Sequence, residues 1–271
     1  MTIPNGYVTR QAFKSALKIT DTADDVLIDR AIRDASRWID NYCGRHFYVV
    51  NETRYFAYTA NGLLIDDLVA ITSLKTDADG DAVYENTWAA TDYSLRPRNA
   101  LRQSPPRPYR EIATTPNGVY SFSSALDGNQ ITGRWGFYEV LEVSSATLAE
   151  ALDTTETGVD VSAGTAFDVG HILKIEDEQM LVTAISSNTL TVTRGYNGTT
   201  AAIHGSGLAI SVYTFPIIET ACLIQAARYF QRPAALFGVS GSGDFGQGGI
   251  VSKFDPDVWQ FLQTNRILAV A

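Results

Sequence analysis

The sequence predicts an α+β fold: a helical core carrying a small antiparallel sheet, interrupted by a small all-β domain. Three observations lead there. Apolar residues between Leu27 and Cys43 recur at three- and four-residue steps, which puts them on one helical face. A stretch rich in Thr, Ser, Gly and Ala, with short alternating strands, fills residues 144–212. Helical patterning then returns from Pro216 towards the C-terminus. The expected domains are a discontinuous core of residues 1–143 and 213–271, with an inserted β domain at 144–212.

Taken in order, the first element is a short helix over Arg10–Leu17 with Thr9 as its cap. A long amphipathic helix follows from about Ala23 to Tyr42. Leu27, Ala31, Ala35, Trp38 and Tyr42 form its stripe, widened by Ile28, Ile32, Ile39 and Cys43. Thr22 and Asp25 have the spacing of a capping box, and Gly44 suits the left-handed residue that ends a helix. Strands are expected at 46–59, 63–65, 69–76, 91–96, 119–122 and 130–135, where β-branched and aromatic residues gather. Asn61-Gly62, Asp79-Gly80, Asn117-Gly118 and Asp127-Gly128 mark the turns between them. Within the inserted domain the strands fall at 174–175, 180–185 and 189–193. Pro216 then opens a helix that stops at Arg232-Pro233, because a residue before proline leaves the helical region. Gly238–Gly249 reads as a glycine-rich tether. Asp255 caps a last helix with Pro256 at its first position, and Val258, Phe261 and Leu262 give that helix an apolar face.

Composition narrows the function. At 271 residues, 45% hydrophobic and 19% charged, the chain is an ordinary globular protein with enough length for one large core or two smaller ones. Its formal net charge of −9 disfavours wrapping nucleic acid over the whole surface. Two cysteines, Cys43 and Cys222, sit on apolar helix faces and make no disulfide framework. No apolar run approaches the ~20 residues of a membrane span, and no secretion signal opens the chain.

Candidate chemistry is weak throughout. Gly241-x-Gly243-x-x-Gly246 matches a dinucleotide fingerprint only literally, without the strand before it and the helix after it. Glu176, Asp177 and Glu178 read as a solvated hairpin corner. His46, His171 and His204 lie far apart without metal-ligand spacing, and no Gly-x-Ser-x-Gly elbow occurs. The residues therefore predict no catalytic, cofactor or metal site. Arg96, Arg98, Arg102, Arg107 and Arg110 are different. They cluster among Pro97, Pro105, Pro106 and Pro108 in an otherwise acidic chain, and so form a local positive loop. Arginine suits protein interfaces, which favours a protein contact over nucleic acid.

Two stretches carry a resemblance. AIRDASRWIDNYCGRHF, the Gly133-Arg134-Trp135-Gly136 strand, the Pro216 helix and the Asp255-Pro256-Asp257 helix occur in the order seen in head–tail connector (adaptor) proteins of long-tailed bacteriophages. The chain resembles that family over roughly residues 7–138 and 214–268. Glu178, Val182, Thr189–Arg194, Gly195, Asn197–Ala201 and His204 resemble a β module found in phage structural proteins. The resemblance implies a helical connector core and a non-enzymatic virion protein of the head–tail neck, made in the host cytoplasm. It implies a homo-oligomeric ring, expected to be a dodecamer, beneath the portal protein. Such a ring would extend the DNA channel without sequence-specific binding. It would meet the next neck or tail-completion protein, and could reach the capsid through the inserted domain. The C-terminal segment 250–271 becomes the portal-docking element, with Asp255, Pro256, Trp259, Phe261 and Leu262 as its contacts. The arginines become subunit or channel contacts. The alternative is an accessory protein whose β module attaches to another virion protein or a carbohydrate.

Overall fold

The structure is a computed structural model, and it describes residues 3–58, 62–231, 239–240, 249–250 and 255–267. The chain is mostly β, with two six-stranded antiparallel sheets beside four α-helices among the described residues. A helical core with only a small sheet is therefore not what forms. Two features of the sequence concealed the larger sheet. Leu63–Thr76 was divided by its polar Asp66-Asp67 pair, but it runs through as one 14-residue strand. Tyr109–Thr114, hidden at the end of the arginine- and proline-rich stretch, is also a strand.

The chain divides into two compact units. The first comprises residues 1–45, 140–196 and 200–271. It holds α1 (Arg10–Leu17) and α2 (Asp25–Cys43), joined by ion pairs. Arg10 grips the buried Asp29 through two bonds of 2.6 and 2.7 Å and also reaches Asp25, while Lys14 bonds Asp25 at 2.7 Å. Thr9 caps α1 by accepting from the Ala12 amide, as expected. The capping box on α2 does not form. Asp24 stands at the cap without a side-chain bond, because Asp25 is committed to Arg10 and Lys14. Gly44 closes α2 at φ 65°, the left-handed conformation its sequence position called for. The stripe that α2 buries is Ile28, Ile32, Ala35, Ile39 and Cys43, whereas Leu27 is exposed. This stripe packs against α3 (Glu219–Gln231), and α3 packs against α4 (Pro256–Gln263). Pro216 lies in a turn before α3 rather than in its first turn.

The same unit contains the second sheet. Its strands are β7 (Leu141–Thr147), β8 (Gly158–Asp160), β9 (Ile172–Ile175), β10 (Glu178–Ser186), β11 (Thr189–Thr193) and β12 (Ala209–Tyr213). Their order is β7-β12-β9-β10-β11-β8. Strand β11, TLTVT, buries only Leu190 and Val192, the alternation of a sheet with one face in the core. Leu148, Val159, Phe167, Leu173, Met180 and Ile210 complete that core. Leu141 pairs with Tyr213 and Val143 with Ser211, so the first and last strands leave side by side.

The second unit comprises residues 46–139 and 197–199. Its sheet runs β1 (Val50–Phe56), β6 (Asn129–Trp135), β2 (Leu63–Thr76), β5 (Tyr109–Thr114) and β4 (Tyr93–Arg96), with the two-residue β3 (Asn86–Thr87) on β2. Asn129, Ile131, Gly133 and Trp135 are buried on alternate positions of β6, which lies between β1 and β2. Leu63, Leu68, Leu74, Ile112 and Trp88 pack with them. Residues 119–122, expected as a strand, are irregular, and Tyr120 and Phe122 pack against the core as isolated side chains. Of the expected tether, Val239–Ser240 (β13) and Gly249–Ile250 (β14) pair as short strands, and Gly238 and residues 241–248 lie outside the described residues. Val251–Phe254 and 268–271 of the expected docking segment also lie outside them.

Candidate functional site

The C-terminal helix α4 begins as its sequence required. The Asp255 side chain accepts from the Asp257 amide and Pro256 holds the first position. Its apolar face is already occupied, however. Val258 and Leu262 are buried, the Leu262 carbonyl lies 3.9 Å from Cys43 Sγ, and the Ile267 amide bonds the Cys43 carbonyl at 2.8 Å. Asp255 pairs with Arg228 at 3.5 Å. The outward aromatics are Trp259, 45% exposed, and Phe261, 41% exposed. Of the five expected docking residues, Leu262 packs inward, Asp255 caps the helix, Pro256 opens it, and Trp259 and Phe261 are exposed.

The five arginines stand in three situations. Arg110 pairs with the buried Asp67 at 3.6 Å. The Arg107 guanidinium lies 5.4 Å over the Phe137 ring. Arg96, at the end of β4, and Arg98 and Arg102 in the following turn are exposed and form no ion pair among the described residues. The sequence cluster is thus partly structural, with three guanidiniums left on the surface.

A site that sequence reasoning missed lies in the β module. Glu178, expected at a solvated corner, has a side chain with no exposure at all. Arg194 meets it through two bonds of 2.7 and 2.9 Å, and spends its remaining donors on the carbonyls of Asp153, Glu156 and Ala202. The Gly195 and Ala202 amides also donate to Glu178. His204 places Nε2 2.9 Å from Glu178 and Nδ1 2.8 Å from Glu176. Burial pushes the Glu178 carboxyl up, but Arg194, the two amides and His204 outweigh it and hold the pKa at about 2. These are the residues on which the resemblance to a phage β module rests. Their geometry is that of a buried staple, in which every oxygen and guanidinium hydrogen has a partner, rather than of a reacting centre. The signal was present in the sequence as an acid, an arginine and a histidine in one module, but their separation along the chain hid the convergence.

The first unit also holds a cleft of about 170 Å³, walled by the loop before α1, by the turn before β9 and by the junction of β12 with α3. Tyr7 and Phe215 meet edge-on in it at 5.0 Å. Thr9 Oγ1 donates to Asp168 Oδ2 at 2.9 Å, and the Asp168 amide donates to His171 Nδ1 at 3.0 Å. Nδ1 therefore carries no proton, and burial lowers the His171 pKa against the pull of Asp168 and Glu142. Thr214 Oγ1, also in the lining, is buried without a hydrogen-bond partner.

The remaining titratable groups serve packing. Burial pushes both the Cys43 and the Cys222 thiol up to about 12, so neither is a nucleophile at neutral pH. His46 stacks on Tyr48 and bonds its carbonyl. Asp77, Asp79, Asp81 and Glu85 bring carboxylate oxygens within 4.8 Å of one another, a set that could hold a hard cation. Both Asp77 oxygens already accept backbone amides, from Asp79, Gly80 and Ala82, so this loop is ordered by its own hydrogen bonds.

Comparison with known proteins adds to this geometry. Residues 9–73, from the α1 cap through most of β2, match the family model described as "Phage gp6-like head-tail connector protein". Over those residues the chain is similar to that family of phage head–tail connectors. Among solved structures, the chain is similar to one titled "Neck of empty GTA particle computed with C6 symmetry", at 10% identity and a TM-score of 0.31. That alignment covers 100% of this chain and 95% of the other. No curated protein sequence matches.

Proposed function

We propose that this connector is a head–tail adaptor that assembles as a ring, expected to be a dodecamer, under the portal at the capsid vertex. The ring extends the DNA channel and joins the capsid to the next neck or tail component. The observation that carries this reading is the connector match on α1, α2, β1 and most of β2. Ring closure requires head-to-tail contacts, in which one face of a copy meets a different face of the next. Trp259 and Phe261, two residues apart and so on different sides of the helix, give α4 exposed aromatic surface on either flank of the stripe held by Val258 and Leu262. The β module decorates the ring, and the pairing of β7 with β12 brings its two ends together, as in tolerated insertions. Its role is to touch the capsid or another neck protein.

Electron microscopy of particles assembled with full-length connector and with a chain lacking residues 255–271 tests this reading. A ring at the head–tail junction is expected from the full chain, and unjoined heads from the truncated one. Infectious, DNA-retaining particles from the truncation would remove the docking assignment, and a full chain located elsewhere in the virion would remove the adaptor assignment.

A further inference from the structure

The cleft in the first unit has a chemistry that none of its own residues completes. Asp168 and Glu219 bring two carboxylates to its lining, and neither forms an ion pair among the described residues. The lining contains no lysine or arginine. His171 does not neutralise it, because its Nδ1 is occupied as an acceptor and burial favours the uncharged ring. Phe215 provides aromatic surface, while the Tyr7 ring it meets edge-on already carries the Arg37 guanidinium 5.8 Å from its centroid. Two carboxylates without ion pairs beside the aromatic surface of Phe215 together fit a flat cation with several donors. A guanidinium matches carboxylates in a forked geometry and stacks on aromatic rings. The size agrees. About 170 Å³ is below the roughly 300–1,000 Å³ of cofactor and drug-sized pockets, and suits one side chain.

The same chain carries a matching donor. Arg96, Arg98 and Arg102 are exposed, without ion pairs among the described residues, on a stretch fixed by Pro97, Pro105 and Pro106. Such a loop has little conformational freedom left to lose on binding. We propose that the cleft of one copy seats an arginine from the Arg98–Arg102 turn of the neighbouring copy. The contact joins two different surfaces of the chain, as a head-to-tail ring requires. The proposal rests on the ring reading for its neighbour, but the cleft's preference for a guanidinium is measurable without a ring.

The probe is a fluorescent peptide of residues 95–110, titrated into the full-length protein and followed by anisotropy. Saturable binding is expected. It should weaken at least tenfold when the exposed Glu219 is replaced (Glu219→Lys), and equally when the peptide carries Arg98→Glu and Arg102→Glu. Binding of that reversed peptide to the Glu219→Lys protein should recover part of the loss. The thermal midpoint of the Glu219→Lys chain confirms that it folds. Absence of saturable binding at millimolar peptide, or binding indifferent to Glu219→Lys, overturns the proposal. Rings seen by microscopy without an arginine in the cleft would sink this contact and leave the adaptor reading standing. Peptide binding without any ring would establish the cleft's chemistry and overturn the neighbour as its source.

Discussion

Replacing Arg194 by methionine tests whether the β module is held by its buried ionic staple. The substitution keeps most of the side-chain volume and removes the guanidinium. Glu178 would then remain fully buried with two amide donors and His204, and three carbonyls, of Asp153, Glu156 and Ala202, would lose a donor. Breaking one partner of a buried pair costs about 3–5 kcal/mol. The carboxyl gives a second figure. Its pKa of about 2, against an ordinary 4.5, corresponds to roughly 3 kcal/mol at about 1.4 kcal/mol per unit. Because the folded pKa is depressed, this stabilisation is complete above about pH 4.5 and is lost as the pH falls through about 2. Hydrogen exchange on the full-length protein reads the effect locally. Amides of β9, β10 and β11 should lose protection equivalent to about 3 kcal/mol or more, and should unprotect at a higher pH than in the parent chain. The pair Glu178→Gln with Arg194→Met should cost less than the sum of the single changes, since each single change strands a partner. Protection within about 0.5 kcal/mol of the parent, with an unchanged acid profile, would refute the reasoning.

Four further outcomes are expected. Burial raises the Asp40 carboxyl to about 6 against the opposing pull of Arg37 and Tyr7, so stability should fall as the pH rises from about 4 through 6. Asp40→Asn should flatten that slope, as read from urea midpoints at pH 5 and 7.5. Gly198→Ala should be strongly destabilising, because φ is +78° and a Cβ would stand 2.1 Å from the Asn51 carbonyl oxygen; a thermal midpoint equal to the parent's would contradict this. Leu262→Ala should lower stability by about 2–5 kcal/mol, whereas Trp259→Ala with Phe261→Ala should leave the melting curve in place and impair joining of filled heads. Excision of residues 144–211 should leave a foldable remainder, and aggregation of the shortened chain would count against that boundary.

The helices were legible in the sequence because their signals are local. Thr9, Gly44, Asp255 and Pro256 each act within one turn, and each acts as its residue type requires. The centre of the α2 stripe was less legible. Periodicity could not separate the row through Leu27 from the row through Ile28, and tertiary packing chose the latter. The larger sheet was obscured for a different reason. A strand signal is weak per residue, and charges inside it look like a break until cross-strand partners are known. Asp67 sits in the middle of β2 because its carbonyl accepts from Gly136 and Arg110 approaches its carboxylate. Both partners lie more than 40 residues away in sequence, beyond any local pattern.

The same distinction governs the candidate sites. Arg98, Arg102, Trp259 and Phe261, singled out by residue type, are exposed, and the contact role proposed for each would need only what its own side chain presents. Glu178, Arg194 and His204 could not be singled out in this way, because their function is mutual: each is tolerable in the interior only when the other two are present. A chain built this way would separate two tasks: buried charge fixes the module, and under the proposed function the surface arginines and aromatics make the contacts. If that separation is correct, substitutions in the staple should alter stability before assembly, and substitutions at Arg98 or Trp259 should alter assembly while stability holds.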